Sequence, residues 1–294
     1  MIRHLRCLGL LLPLVTLTSW AEEHSSVVNN APAGSQTAIF ASEAHPTNKA
    51  FVAKTPLTSN GDLEGSAAKL TKGAIGMNQQ QGVSESLSAG QQAIPLIAAF
   101  MAGSQMNKLN TALNQGLDAG LTINEVKEIL VQLYAYTGFP RSLNALNELM
   151  KVVEARKQRG IKDVEGNEPV SPVPIGDELR RVGIENQTKI SGVPVQGPLF
   201  DFAPVINQFL QTHLFGDIFA RDNLDWQSRE LATLGALAAT PGVEAQLLSH
   251  TRASMRVGLT AAQLRQLAEV LRAQAEIEAA MRMEHALQQA LAAR

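Results

Sequence analysis

Cysteine is almost absent. Of 294 residues only Cys7 is one, and it lies in a leader-like segment. The rest of the chain therefore has no material for a disulfide framework, a thiol redox pair or a cysteine-ligated metal. Aromatics are scarce at 4%, which argues against stacking platforms for single-stranded nucleic acid. Neither sign of charge dominates. Lys plus Arg number 25 and Asp plus Glu 27, a formal net charge of -2, so no broad basic surface for polyanions is expected. What is abundant is Ala, Leu and Gln, within a 45% apolar composition. That balance fits a packed helical protein rather than disorder.

The apolar run Cys7 to Trp20 is 14 residues long, short of the ~20 that a spanning helix needs. It follows Arg3, His4 and Arg6, contains Pro13, and leads into Ser19-Trp20-Ala21 and then Glu22. This is the layout of a secretory signal peptide over residues 1–21. The protein is expected to be exported, periplasmic or secreted, with no membrane attachment after its removal. Residues 22–86 are rich in Ser, Asn, Gln, Gly and Thr without a sustained apolar period. They read as a flexible N-terminal arm.

Helical patterning begins near Gln91. Thr122 with Glu125 reads as a capping box, ahead of Val126, Ile129, Leu130 and Leu133 on one face. Gly138-Phe139-Pro140 breaks the chain, and Pro140 can open a helix toward Arg159. From Gly160 to about Gly197 the composition shifts to Pro, Gly, Asp and Val. That stretch reads as a connection that either wraps a helical unit or pairs as short strands. Helices resume near Ala203. Asp225 caps one, Pro241-Gly242 ends it, and another runs from Val243 to Val257. Thr260 caps a last stretch that is expected to reach Leu291 unbroken.

Gly120-Leu121-Thr122 recurs as Gly258-Leu259-Thr260, an offset of 138. The same offset places Leu96 on Leu234, Leu109 on Leu247, Leu117 on Met255, Val126 on Leu264, Ile129 on Leu267 and Leu133 on Leu271. These matches predict two copies of one helical unit, over 87–160 and 201–294, joined by 161–200. The copies differ: Glu230 corresponds to Gln92 and His250 to Ala112, while Tyr134 and Tyr136 occur only in the first.

At these residues the chain resembles the carboxymuconolactone decarboxylase-like family of the alkylhydroperoxidase-like superfamily. The resemblance rests on Gly120 to Pro140, on Arg229-Glu230-Leu231, on Gln246-Leu247-Leu248-Ser249-His250 and on Gly258-Leu259-Thr260. It implies an all-α fold of tandem units in a homo-oligomer, with a homotrimer suiting two units per chain. The superfamily's peroxidase branch uses Cys-x-x-Cys, and those positions are Val243 and Gln246 here. A thiolate peroxidase needs a sulfur nucleophile, so that activity is disfavoured. The decarboxylase-like branch uses a glutamate and a histidine, positions matched by Glu230 and His250. No cofactor and no metal are implied.

Glu230 and His250 lie on opposite sides of the Pro241-Gly242 break, each roughly 14–17 Å from it at ~1.5 Å per residue. An antiparallel hairpin would bring them together, and each sits on an apolar stripe where an unpaired charge is costly. One reading is a buried pair that merely holds the hairpin. The other is acid/base catalysis on a small carboxylated or lactone-like substrate, the carboxylate orienting the imidazole that delivers a proton. Arg141, Arg221 and Arg229 are candidate substrate cations, or solvated and helix-end arginines. Tyr134 and Tyr136 are candidate pocket-lining groups, Tyr134 also reading as core. His213 and Asp217, four apart, form a second constellation, either a local hydrogen bond or two metal ligands without an obvious third. The alternative to an enzyme is a non-catalytic helical assembly that binds a ligand or partner.

Overall fold

The computed structural model describes residues 85–293. The expected leader, and all but the last two residues of the expected arm, lie outside them. Among the described residues every regular element is helical, and no helix is long and apolar enough to cross a membrane.

Ser88 caps α1 (Ala89–Ala102) through a capping box with Gln91. This places the helix start two residues before the periodic pattern becomes visible. The chain continues through α2 (Met106–Asp118), α3 (Ile123–Gln132), the single turn α4 (Tyr134–Thr137) and α5 (Phe139–Gln158). Thr122 caps α3 with Glu125 as expected, and Pro140 sits in the first turn of α5. After the connection come α6 (Gly176–Ser191), α7 (Pro198–Phe202), α8 (Pro204–Phe209) and a π-helix (Leu210–Ile218). Then follow α9 (Trp226–Ala238), α10 (Glu244–Arg256), α11 (Ala261–Ala273) and α12 (Ile277–Ala292).

The 160–197 connection takes the first of its two expected forms, wrapping over a helical unit rather than pairing as strands. Its first part runs extended over the start of α3, where the Ile123 and Asn124 amides donate to the Val164 and Glu165 carbonyls at 3.0 and 2.8 Å. Those carbonyls satisfy amides that have no partner within the helix. Its second part is α6, a helix of low apolar content that packs on the π-helix and on α10. Gly183 of α6 lies against the Gln211 carbonyl, where a Cβ would sit 1.7 Å from that oxygen. One other expectation is corrected: the last stretch is not unbroken. Ala275 adopts φ 61, and the Glu276 amide donates to the Leu271 carbonyl at 3.1 Å while that of Ala275 donates to Arg272 at 3.0 Å. This is a Schellman end with alanine in the place glycine usually takes, so nothing in the residue types announces it.

One apolar core runs through both halves. It includes Ile97 and Phe100 of α1, Leu109 of α2, Ile129 of α3, Leu234 of α9, Leu267 of α11 and Met283 of α12. α1 is buried from Ala93 to Ala102 and α9 from Ser228 to Ala238; α1 is apolar over that whole stretch, as befits a central helix, while α9 also carries Arg229, Glu230 and Thr233 inside. They touch backbone to backbone. A Cβ on Gly235 would lie 2.4 Å from the Pro95 carbonyl oxygen and 2.6 Å from its Cα. Gly235→Val must therefore push the helices apart. We expect a loss of about 3 kcal/mol, or about 6–12 °C in Tm for a domain of this size. An unchanged melting curve by circular dichroism would mean that the two backbones do not meet.

Helix starts repeat at the offset read from the sequence: Met106 and Glu244, Ile123 and Ala261, Phe139 and Ile277. The paired positions Leu109 and Leu247, Val126 and Leu264, Ile129 and Leu267, and Leu133 and Leu271 are all buried. A second, smaller cluster joins Ile190 of α6 to Leu214, Phe215 and Ile218 of the π-helix and to Ala253 of α10, with Tyr134, Tyr136 and Trp226 packed against it.

Candidate functional site

Asp225 accepts from the Ser228 amide and starts α9, which places Glu230 in its first turns. Gly242, at φ 87, turns the chain back into α10. Glu230 and His250 therefore face each other across a hairpin. His250 Nδ1 is 3.0 Å from Glu230 Oε2 and 3.3 Å from Oε1. The carboxylate is enclosed, while the His250 side chain is 15% exposed. One turn on from His250, the Ser254 hydroxyl donates to the His250 carbonyl at 2.8 Å and lies 3.4 Å from Glu230 Oε2.

Tyr136 comes to this pair from the first half. Its ring meets that of His250 edge-on, centroids 5.5 Å apart. Its hydroxyl is shut off from solvent and has no hydrogen-bond partner among the described residues. The neighbouring Thr233 hydroxyl donates to the Arg229 carbonyl at 3.0 Å and accepts from Gln132 Nε2 at 3.0 Å, which leaves it one free lone pair. Burial, then the negative charge of Glu230, push the Tyr136 phenol well above its ordinary value, against the pull of Thr233 and Arg229. The chain has only two tyrosines, so an alkaline absorbance titration can follow this group. We expect one tyrosine to resist ionisation until the fold is lost. The unfolded phenol releases its proton near pH 10 and the folded one does not. The linkage is thus fully favourable below pH 10 and drains stability as pH rises above it. Tyr136→Phe should remove the late phase, and a late phase that survives would assign it elsewhere.

The arginines are placed differently. Arg229 is wholly buried. Its Nη1 donates to Gln132 Oε1 at 3.0 Å, and its Nη2 to Glu128 Oε1 at 3.0 Å and to the Arg221 carbonyl at 2.8 Å. Its guanidinium also lies 5.6 Å from the Phe219 ring centroid. Burial lowers its proton affinity and Glu128 opposes that. Arg221 Nε donates to both oxygens of Glu128, at 3.0 and 2.9 Å. Both guanidinium groups thus answer one enclosed carboxylate that links α3 to α9, and the buried Arg229 Nε is left without a partner among the described residues. Arg221 also lines a cleft of about 560 Å³ with Asn186, Phe219, Asp222 and Trp226. Exposed Arg141 donates to Ser104 Oγ at 3.3 Å and to the Thr137 carbonyl at 3.1 Å. An apolar groove of about 720 Å³ lies between α3 and α5, floored by Leu146, Leu149 and Met150. Glu230 and His250 line neither cleft.

His213 and Asp217 are bonded within the π-helix, Nδ1 to Oδ2, at 2.7 Å. The His213 ring is 5.5 Å from Tyr134, which stacks on Phe139 at 4.2 Å. Among the described residues no cluster of three or more His, Cys, Asp or Glu is placed to hold a metal. Glu128, Gln132, Thr233 and Ser254 were not singled out from the sequence. Glu128 and Gln132 did carry a signal, since two polar residues four apart on the buried stripe of α3 imply a shared partner.

Residues 204–292, from the start of α8 to the end of α12, match the Carboxymuconolactone decarboxylase family. No curated protein matches the chain. The matched span contains both Glu230 and His250.

Proposed function

We propose that the protein is an exported enzyme of the carboxymuconolactone decarboxylase type, performing acid/base chemistry on a small carboxylated or lactone-like molecule. The observation that carries this reading is the hairpin pair: an enclosed Glu230 carboxylate 3.0 Å from the Nδ1 of a partly exposed His250, inside the family-matched span. Glu230 fixes the ring through Nδ1 and leaves Nε2 for the substrate. In a decarboxylation the C–C bond to the carboxylate breaks, its electrons move into the adjoining carbonyl, and CO2 leaves. His250 Nε2–H then protonates the electron-rich carbon, and the imidazole regains its proton from solvent.

The repeated helix starts and buried positions support a duplicated unit, with chemistry kept in the second copy. At the equivalent first-half position Gln92 merely donates to the Leu87 carbonyl at 2.9 Å. Two units per chain suit a homotrimer. A second reading, a helical ligand- or partner-binding assembly, is favoured by one observation: the pair lines neither of the clefts described above. The experiment is CO2 release and ring opening by the purified chain, over a panel of small β-keto acids and unsaturated lactones. Turnover by the wild type that is lost in Glu230→Gln supports the enzyme. Inactivity across the panel, with a fall in Tm for the same variant, favours the assembly.

A further inference from the structure

Two cations share one carboxylate. Arg221 and Arg229 both donate to Glu128, so the trio carries one positive charge more than its carboxylate answers. Burial lowers the proton affinity of Arg229, Glu128 opposes that, and the nearby charge of Arg221 lowers it further. Arg221 engages Glu128 through Nε alone. Its two Nη nitrogens donate to none of the described residues, and its side chain keeps 34% of its surface. It lines the cleft of about 560 Å³, within the ~300–1,000 Å³ range of small-molecule sites.

The rest of that lining is largely apolar and held in place. Lys189 Nζ lies 4.2 Å from the Trp226 ring centroid, and Phe219 meets the same ring edge-on at 5.9 Å. A second wall carries Pro172 and Pro174, whose rings fix φ. Asp222 ties this wall down, accepting from the Val170 and Ser171 amides at 2.9 and 3.0 Å. Asp225, also in the lining, accepts from the Ser228 amide at 2.9 Å and hydroxyl at 2.8 Å. Both acids therefore have their donors, and Arg221 is the charge in this lining still to be answered.

We propose that the cleft binds a small monocarboxylate with a flat apolar body, its oxygens on the forked Nη donors of Arg221 and its body against Trp226 and the proline wall. A guanidinium matches a carboxylate with two parallel N–H bonds. The unanswered charge is a single one and two acids stand beside it, which favours a monocarboxylate over a phosphate. Neither Glu230 nor His250 lines the cleft, so the inference does not rest on the acid/base reading.

In the chain from Glu22, Trp226 is the sole tryptophan, and its fluorescence reports on the cleft directly. Phenylacetate is expected to give a saturable change. Phenylacetamide, with nearly the same shape and no charge, should bind at least ~10-fold more weakly, the usual worth of a hydrogen bond to a charged group, and inorganic phosphate should bind no better than the amide. Arg221→Lys keeps the charge without the fork and should weaken phenylacetate by ~10-fold or more. Ala220→Leu leaves the Glu128 network untouched and narrows the cleft from its wall, so it should abolish the change with an unaltered helical signal. His250→Gln should bind as the wild type does. No saturation by ~10 mM, the weak end for a ligand of this size, overturns the site. So does equal binding of the amide or of phosphate, or a titration that neither Arg221→Lys nor Ala220→Leu alters. Loss of binding in His250→Gln overturns it too, by moving the ligand to the hairpin pair.

Discussion

Glu128→Ala is expected to lose about 3–5 kcal/mol of stability, the usual cost of leaving a buried charge unpaired. In a domain of this size that is about 6–20 °C in Tm, and a large part of the ~5–15 kcal/mol that holds a typical domain folded. Glu128 is enclosed and answers two guanidinium groups, Arg221 and Arg229, the second fully buried. Asn223 Nδ2 also donates to it at 3.3 Å. Removing the carboxylate strands Arg229 in the interior and unties α3 from α9, which joins the first half to the second. Arg229→Met should cost less, because Glu128 keeps Arg221. The double variant Glu128→Ala with Arg229→Met should recover part of the loss, since it removes both members of the buried pair. Urea unfolding of the four proteins forms a double-mutant cycle. Additive losses below about 1 kcal/mol each would show that the network does not hold the halves together.

Glu230→Gln and His250→Gln are each expected to lower turnover by ~100-fold or more, as is typical when an acid/base group is lost. Glu230→Gln keeps the shape and removes the charge that orients His250, while His250→Gln removes the donor. The two losses should not add, because the residues act as one unit. A modest drop in Tm is compatible with this result, as the amide still reaches the partner across 3.0 Å. A purely structural pair gives the opposite pattern, a clear loss of stability with any activity following the folded fraction. Measuring turnover and Tm on the same preparations decides between the two.

The helices around the site were legible because their signals are local. Ser, Thr and Asp caps, Gly242 and Gly258 after helix ends, and the 3.6-residue apolar stripe all act within a few residues. The meeting of Glu230 with His250 was legible for the same reason, since a short turn between two helices of known rise fixes which positions face each other. The proposal of export rests on Arg3 to Ala21 alone, outside the described residues. The rest needed the tertiary structure, because it depends on distant groups. Whether Arg229 faces a substrate or a carboxylate is decided by Glu128, 101 residues away. Tyr136 gains its raised pKa only from enclosure beside Glu230. α6 has too weak a stripe to declare itself and is held by the close approach of Gly183 to Gln211. Ala275 takes the left-handed turn without glycine, at a cost of about 1–2 kcal/mol, because α12 packs back on α11. The sequence by itself determined the helical class, the pair and its hairpin. The tertiary structure decided which charges are paired inside and which donors are left to line a cleft, since burial belongs to the packed chain and not to any one segment.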